Sequence, residues 1–277
     1  MPRSDTIVVV PCYNEAARLD QQRFMRFVQE CSDVDLLFVN DGSTDDTVSL
    51  LKRLVEANPQ RLSVHDLNEN VGKAEAVRQG MVEAFRRRPK YVGFWDADLA
   101  TPLDAISPFR DQMESQGHLQ VVVGSRIALL GHQVLRKFRR HLLGRAFASV
   151  VSLMLGFAVY DTQCGAKLFR ASREIEEIFQ ESFCSRWIFD VEIFARLMQQ
   201  TQCGKLPPVE QIVYERPLER WEDVDGSKLK LRDFFVAAFD LVKVYRTYLV
   251  GSNKAPQPQV VFEPKSAPLD EDRRKAA

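Results

Sequence analysis

The chain has 277 residues, 45% of them apolar, with 38 basic and 38 acidic side chains and a formal net charge of zero. Length and apolar content suit one large globular domain with an appendage, and the balanced charge excludes a globally basic nucleic-acid binder, leaving partners to local clusters. Cys12, Cys31, Cys164, Cys184 and Cys203 are widely spread with no C-x-x-C, which argues for reduced thiols and against a disulfide framework or zinc site.

The N-terminus enters a β-like run at once, with no signal-peptide h-region, so retention in the cytosol is expected. Thr6 to Val10 predicts a strand that stops at Pro11, and Leu36 to Val39 a second that stops at Asn40-Asp41-Gly42. Ala16 to Glu30 has helical spacing, and Ser43 to Val55 predicts a helix with Ser43 or Thr44 as N-cap. Leu62 to Leu67 reads as a strand leading through Asn70-Val71-Gly72 into a helix from Lys73 to Arg87, and Tyr91 to Trp95 as a buried strand ending in Asp96-Ala97-Asp98. This alternation predicts an α/β fold, a mostly parallel sheet with helices on both faces. Polar residues recur where each strand ends, and ligands of open α/β sheets bind beyond those ends. On an extended backbone Asp96 and Asp98 point the same way and reach one divalent cation; the competing reading is a polar turn before Pro102.

Residues 104–117 read as a helix and Val121 to Arg126 as a strand ending in a cation. A basic cluster, Arg136-Lys137-Phe138-Arg139-Arg140-His141, feeds the apolar run 146–159, which is short of the ~20 residues that span a bilayer. It is either core or a helix lying in an anionic membrane surface. Residues 161–167 read as a turn-rich element, 172–183 and 187–200 as helices, 206–214 as an edge strand, 229–249 as a long helix, and 251–277 as a disordered tail.

Pro11-Cys12-Tyr13-Asn14-Glu15, Asn40-Asp41-Gly42-Ser43-Thr44-Asp45, Asn70-Val71-Gly72-Lys73 and Asp96-Ala97-Asp98, in that order, resemble glycosyltransferase family 2, the inverting enzymes of the GT-A (Rossmann-like) fold. Gly124-Ser125-Arg126, Asp161 to Phe169, Phe189-Asp190-Val191-Glu192 and Gly226-Ser227-Lys228-Leu229 are similar to the dolichyl-phosphate β-glucosyltransferases and their bacterial polyprenyl-phosphate relatives. The resemblance implies a GT-A domain over 1–250, its nucleotide-sugar half at 6–125 and its acceptor and membrane half, with an interfacial helical segment, at 126–250. It implies that Pro11, Tyr13, Glu15, Asp41, Lys73, Asp96, Ala97 and Lys228 hold the nucleotide sugar, and that Asp96 and Asp98 carry Mg2+ or Mn2+. Asp98, Arg126 and Asp190 are the implied catalytic set. The implied acceptor is polyprenyl phosphate, already anionic near neutral pH, met by Arg126 first and by Arg139, Arg140 and Lys167 as further candidates.

Two readings stay open at four of these positions: Asp41 also fits an Asx-turn, Lys73 a solvated first-turn lysine, Lys228 an ordinary surface lysine, and Asp190 a capping or salt-bridged residue at the start of the helix 187–200. Glu192 reads as structural. Ala100 and Glu222 stand where mannosyl members carry Gln and Arg, which favours UDP-glucose over GDP-mannose as donor. The expected enzyme is a peripheral one on the cytoplasmic membrane face, anchored directly or through a membrane-protein partner. The alternatives are a mannosyltransferase and a non-catalytic nucleotide-sugar-binding scaffold.

Overall fold

The computed structural model describes residues 4–135, 138–222 and 231–250, excluding the side chains of 135–143 and 231–235. Arg139 and Arg140 are thus described in backbone only, and Lys228 and the expected tail 251–277 lie outside the described residues.

The first half is built of β1 (Thr6–Cys12), α1 (Gln21–Glu30), β2 (Val34–Asp41), α2 (Thr47–Ala57), β3 (Leu62–Leu67), α3 (Lys73–Arg86), β4 (Tyr91–Trp95), α4 (Ile106–Ser115) and β5 (Val121–Ser125). β6 (Gln133–Leu135), α5 (Phe138–Leu155), β7 (Ala166–Arg170), α6 (Arg173–Ile178), α7 (Phe189–Gln202), α8 (Val209–Ile212), β8 (Val213–Pro217), β9 (Arg220–Glu222) and α9 (Leu231–Val244) follow. Residues 245–249 prolong α9 as a π-helical turn.

One seven-stranded sheet runs β3-β2-β1-β4-β7-β5-β8, and β6 pairs with β9 in a separate two-stranded ribbon. All neighbours in the large sheet are parallel except β7, which runs antiparallel to both β4 and β5. Because β1 lies between β2 and β4, the strand order reverses there, and the carboxyl ends of β1, β2 and β4 share one rim, the position where such sheets bind ligands. β7 starts at that rim, with Ala166 opposite Trp95.

Period-two alternation sorts side chains into two cores. Val9, Val39 and Phe94 face a core shared with α3, α5, α6 and α7. Val8, Phe38 and Trp95 face one shared with α1, α2 and α4. Pro11 lies inside β1, opposite Val39, not beyond its end as expected. Pairing with β4 stops at Val9, so the missing N–H of Pro11 breaks no ladder bond on that side.

Three further expectations need correction. Helix α2 starts at Thr47, because Ser43 and Thr44 bind Asn14 and do not cap it. Ala166 and Lys167, expected at the end of a turn-rich element, instead open the strand β7. The helix read at 146–159 begins at Phe138 and ends at Leu155, before Gly156 with φ 79°.

Candidate active site

Two loops at the rim are stitched together. Asn14, in the left-handed region at φ 52°, accepts from Thr44 N–H through its side-chain oxygen at 2.9 Å, while its own N–H donates to Ser43 Oγ at 3.1 Å. The Glu15 N–H donates to Thr47 Oγ1 at 2.8 Å. These bonds leave Tyr13 exposed at the rim and turn the Glu15 carboxylate inward, where Oε1 meets Arg18 at 2.6 Å and Oε2 is buried with no hydrogen-bond partner. Burial raises the Glu15 carboxyl above its usual range; Arg18 opposes this, and Asp98 and Asp96 add to it.

Asp41, at the end of β2, is buried and clamps the entrance to α3. It accepts from Val71 N–H at 2.7 Å, Gly72 N–H at 3.0 Å and Asn70 Nδ2 at 3.0 Å. Burial raises its carboxyl against the pull of those N–H groups and of Arg186. The carboxylate expected to meet base or ribose is thus engaged in holding the loop that carries Lys73.

The carboxylates after β4 do not continue the strand as expected. β4 ends at Trp95; Asp96 to Leu99 form a turn closed by Leu99 N–H to Asp96 O at 3.2 Å, with Leu99 at φ 52°. A leucine there is strained by roughly 1–3 kcal/mol, a strain that clusters at functional sites. Ala97 is buried in the turn, and Asp98 Oδ1 accepts from Ala100 N–H at 3.0 Å. Burial, then the charge of Asp96, raises the Asp98 carboxyl. Asp96 Oδ1 lies 2.6 Å from Lys73 Nζ. Burial works against that ammonium, but Asp96 and Asp190 outweigh it and the Lys73 amine is raised.

Asp98, its carboxyl raised by burial and by the charge of Asp96, stands with Asp96 and the unpartnered Oε2 of Glu15 as an oxygen set that suits a hard divalent ion. Among the described residues no group of three or more His, Cys, Asp or Glu stands placed to hold a metal ion; a Mg2+-type site takes one or two carboxylates and completes its shell with phosphate oxygens and water.

Gly165 makes room for Asp96. A methyl group at residue 165 would stand 1.9 Å from Asp96 Oδ2, while the Gly165 carbonyl accepts from Asp96 N–H at 3.0 Å. Gly165→Ala is therefore expected to displace the carboxylate and weaken Mn2+ binding by about tenfold or more, for a loss of roughly 1.4 kcal/mol, without unfolding the protein. Titration with Mn2+ beside a circular-dichroism melt checks both.

Lys167 requires a correction. It is 0% exposed, and its ammonium donates to Asp190 Oδ1 at 2.5 Å, Cys164 O at 2.7 Å and Thr162 O at 3.1 Å. With its donors satisfied by the protein, it is not placed to meet an acceptor phosphate. Asp190, at the start of α7, is raised by burial and drawn back by Lys167 and Lys73. Glu192 is structural, as expected: fully buried, it pairs with Arg196 at 2.8 Å.

Arg126, just past β5, forks onto Asp161 with Nε at 2.6 Å and Nη2 at 2.7 Å, and lies 5.4 Å from the Trp221 ring. It lines a cleft with Arg145, Tyr160, Thr162 and Gln163. Arg145 lies over the Tyr160 ring at 3.8 Å and donates to Tyr160 O at 3.0 Å. Thr162 Oγ1 and Gln163 Nε2 are buried without a hydrogen-bond partner. Arg126, paired with the Asp161 carboxylate that also lines the cleft, and Arg145 stand beside these two unsatisfied polar atoms, so the donors not taken up by Asp161 and Tyr160 are the ones an anion could meet. Arg145, Thr162 and Gln163 are not among the residues singled out from the sequence: Arg145 stands between the basic cluster and the apolar run 146–159, and only the fold brings it to the other two.

The segment 161–167 joins three parts of this arrangement. Asp161, Thr162 and Gln163 line the cleft, Gly165 abuts Asp96, and Lys167 holds Asp190. Residues 7–175 match the model of glycosyl transferase family 2. Over 259 residues the chain is 33% identical to dolichyl-phosphate beta-glucosyltransferase of Dictyostelium discoideum, covering 88% of this chain and 75% of the relative. Over 269 residues it is 32% identical to the Drosophila melanogaster protein of the same name, covering 91% and 77%. Glucosyl-3-phosphoglycerate synthase from Mycobacterium tuberculosis, crystallised with Mn2+, UDP and glucosyl-3-phosphoglycerate, superposes with a TM-score of 0.60 at 17% identity, over 89% of this chain and 80% of that one. The chain belongs to glycosyltransferase family 2 and is a glycosyltransferase of the GT-A fold.

Proposed function

We propose that the protein catalyses inverting, metal-dependent transfer of a hexose, glucose in the first place, from a UDP-sugar to a polyprenyl or dolichyl phosphate at the cytoplasmic face of a membrane. The observation that carries this reading is the segment 161–167, which joins a carboxylate-bearing turn at the nucleotide rim to a cleft lined by two guanidinium groups. The names of the relatives support the acceptor and the sugar. Ala100, in place of the glutamine of mannosyl members, supports the UDP-sugar.

Asp96 and Asp98 would hold Mg2+ or Mn2+, which when bound supplies charge neutralisation for a departing nucleoside diphosphate. Lys73 adds a positive charge on the Asp96 side. Arg126 and Arg145, with Thr162 and Gln163, bind and orient the acceptor phosphate. That nucleophile is already ionised near neutral pH, its second pKa being ≈ 6, so no general base is needed. Asp190, paired with Lys167, holds the segment 161–167 in register with α7 and takes no proton.

The membrane face is assigned to the outer sides of α5 and α9, where Val150, Leu153, Val236 and Phe239 are exposed. No helix among the described residues is long and apolar enough to cross a membrane. Leu153→Glu with Phe239→Glu is expected to reduce flotation with anionic liposomes severalfold at unchanged thermal stability; equal flotation would remove this face from the proposal.

The function itself is tested by incubation with radiolabelled UDP-glucose, Mn2+ and undecaprenyl or dolichyl phosphate. Label is expected in the chloroform phase only when acceptor and metal are both present, and GDP-mannose is expected to give far less. Absence of chloroform-soluble label across a panel of donors would reject the lipid acceptor.

A further inference from the structure

Arg186 lies between α6 and α7 in a loop fixed from both flanks. Ser185 is buried; its hydroxyl donates to Asp240 Oδ2 at 2.6 Å and accepts from the N–H groups of Trp187 at 3.1 Å and Ile188 at 3.0 Å. On the other flank, Cys184 N–H donates to Glu192 Oε2 at 2.7 Å, and Lys243 Nζ donates to Cys184 O at 3.1 Å. Helices α7 and α9 thus set where residue 186 stands.

The Arg186 side chain is exposed, and among the described residues it makes no hydrogen bond or salt bridge. It reaches instead across Gly72. A methyl group on Gly72 would stand 2.8 Å from Arg186 Nε and 3.2 Å from Nη2, so the guanidinium lies directly against the Gly72 backbone, which is itself in the left-handed region at φ 94°. The adjacent charges are already answered. Lys73 is paired with Asp96, and the Asp41 carboxylate is occupied by Asn70, Val71 and Gly72. A planar fork of donors therefore stands over the loop between Asp41 and Lys73, near enough to Asp41 to draw its carboxyl down but hydrogen-bonded to no oxygen among the described residues, one residue from the ammonium that contacts Asp96. A phosphoryl group, with several oxygens and more than one negative charge, is the ligand chemistry that completes this geometry.

We propose that Arg186 is a phosphate-binding residue that grips a phosphoryl group of the donor's diphosphate from the α3 side, across from the Asp96–Asp98 turn. The assignment rests on the nucleotide-sugar reading above and adds a residue to it. Ordering of loop 184–188 by α9 then ties the C-terminal helix to donor binding.

Titrations of the full chain with UDP plus Mn2+, with inorganic pyrophosphate plus Mn2+ and with uridine test this, followed through the exposed Trp187. Arg186→Met is expected to weaken UDP and pyrophosphate by about tenfold or more, with Arg186→Lys intermediate and uridine unchanged. The KM for polyprenyl phosphate should stay at the wild-type value. UDP and pyrophosphate binding to Arg186→Met at wild-type strength would overturn the proposal, as would a raised KM for the lipid phosphate with UDP binding intact, which would assign Arg186 to the acceptor. Pyrophosphate binding that depends on Arg186, with UDP bound no better than pyrophosphate, would support the phosphate site while rejecting the nucleotide reading.

Discussion

Asp98→Asn is expected to lower transfer by about 10²–10³-fold, the loss typical of removing one preorganised group that answers transition-state charge. The substitution is nearly isosteric, and an amide oxygen still accepts from Ala100 N–H, so the turn 96–99 keeps its shape. What disappears is the negative charge. The sign of the stability change follows from the raised carboxyl. A carboxyl whose proton affinity is higher in the folded state contributes stability below its unfolded range and loses it as pH rises through the folded one. At neutral pH, without a divalent ion, the ionised group therefore opposes folding, and Asp98→Asn is expected to melt at or slightly above the wild-type temperature. With Mn2+ and UDP present the order reverses, because only the wild type gains stability from the bound ligands. Melting curves with and without Mn2+ and UDP, beside the transfer assay, give both readings; wild-type turnover in Asp98→Asn would remove the metal from this turn.

Lys167→Met is expected to destabilise the protein by about 3–5 kcal/mol, the cost of leaving a buried charge without its partner. Asp190 loses the ammonium that draws its carboxyl down, and burial then drives it further toward the protonated form. The carbonyls of Thr162 and Cys164 lose their donor as well. Lys167→Met combined with Asp190→Leu should recover much of the loss, since a paired burial replaced by apolar volume is often neutral. Urea denaturation of both single variants and the double variant measures the coupling. Additive losses would show that the two groups do not act as a pair.

The parallel half of the sheet was legible because β1, β2 and β4 are β-branched or aromatic runs that end in polar residues. Strand β7 was hidden by Lys167. A lysine in Ala166-Lys167-Leu168-Phe169-Arg170 breaks the apolar run, and only the burial of Asp190 by a distant helix explains why a charge belongs in a central strand. The Asp96–Asp98 pair was visible as a pair, but its turn depends on a left-handed leucine, a residue type that carries no signal for that conformation. Asp41 was visible as a strand-end carboxylate, while its partners, at 70–72, come from the next strand–helix unit. Arg145 and Arg186 could not be found by local pattern, since each acquires its neighbours through contacts between distant segments.

The most direct measurement is anomalous scattering from crystals of the protein soaked with UDP and Mn2+. One manganese peak is expected within about 2.1 Å of a carboxylate oxygen of Asp98 or Asp96, with the diphosphate between that turn and the start of α3. A manganese ion bound away from both aspartates, or UDP on the amino-end rim of the sheet, would contradict the account.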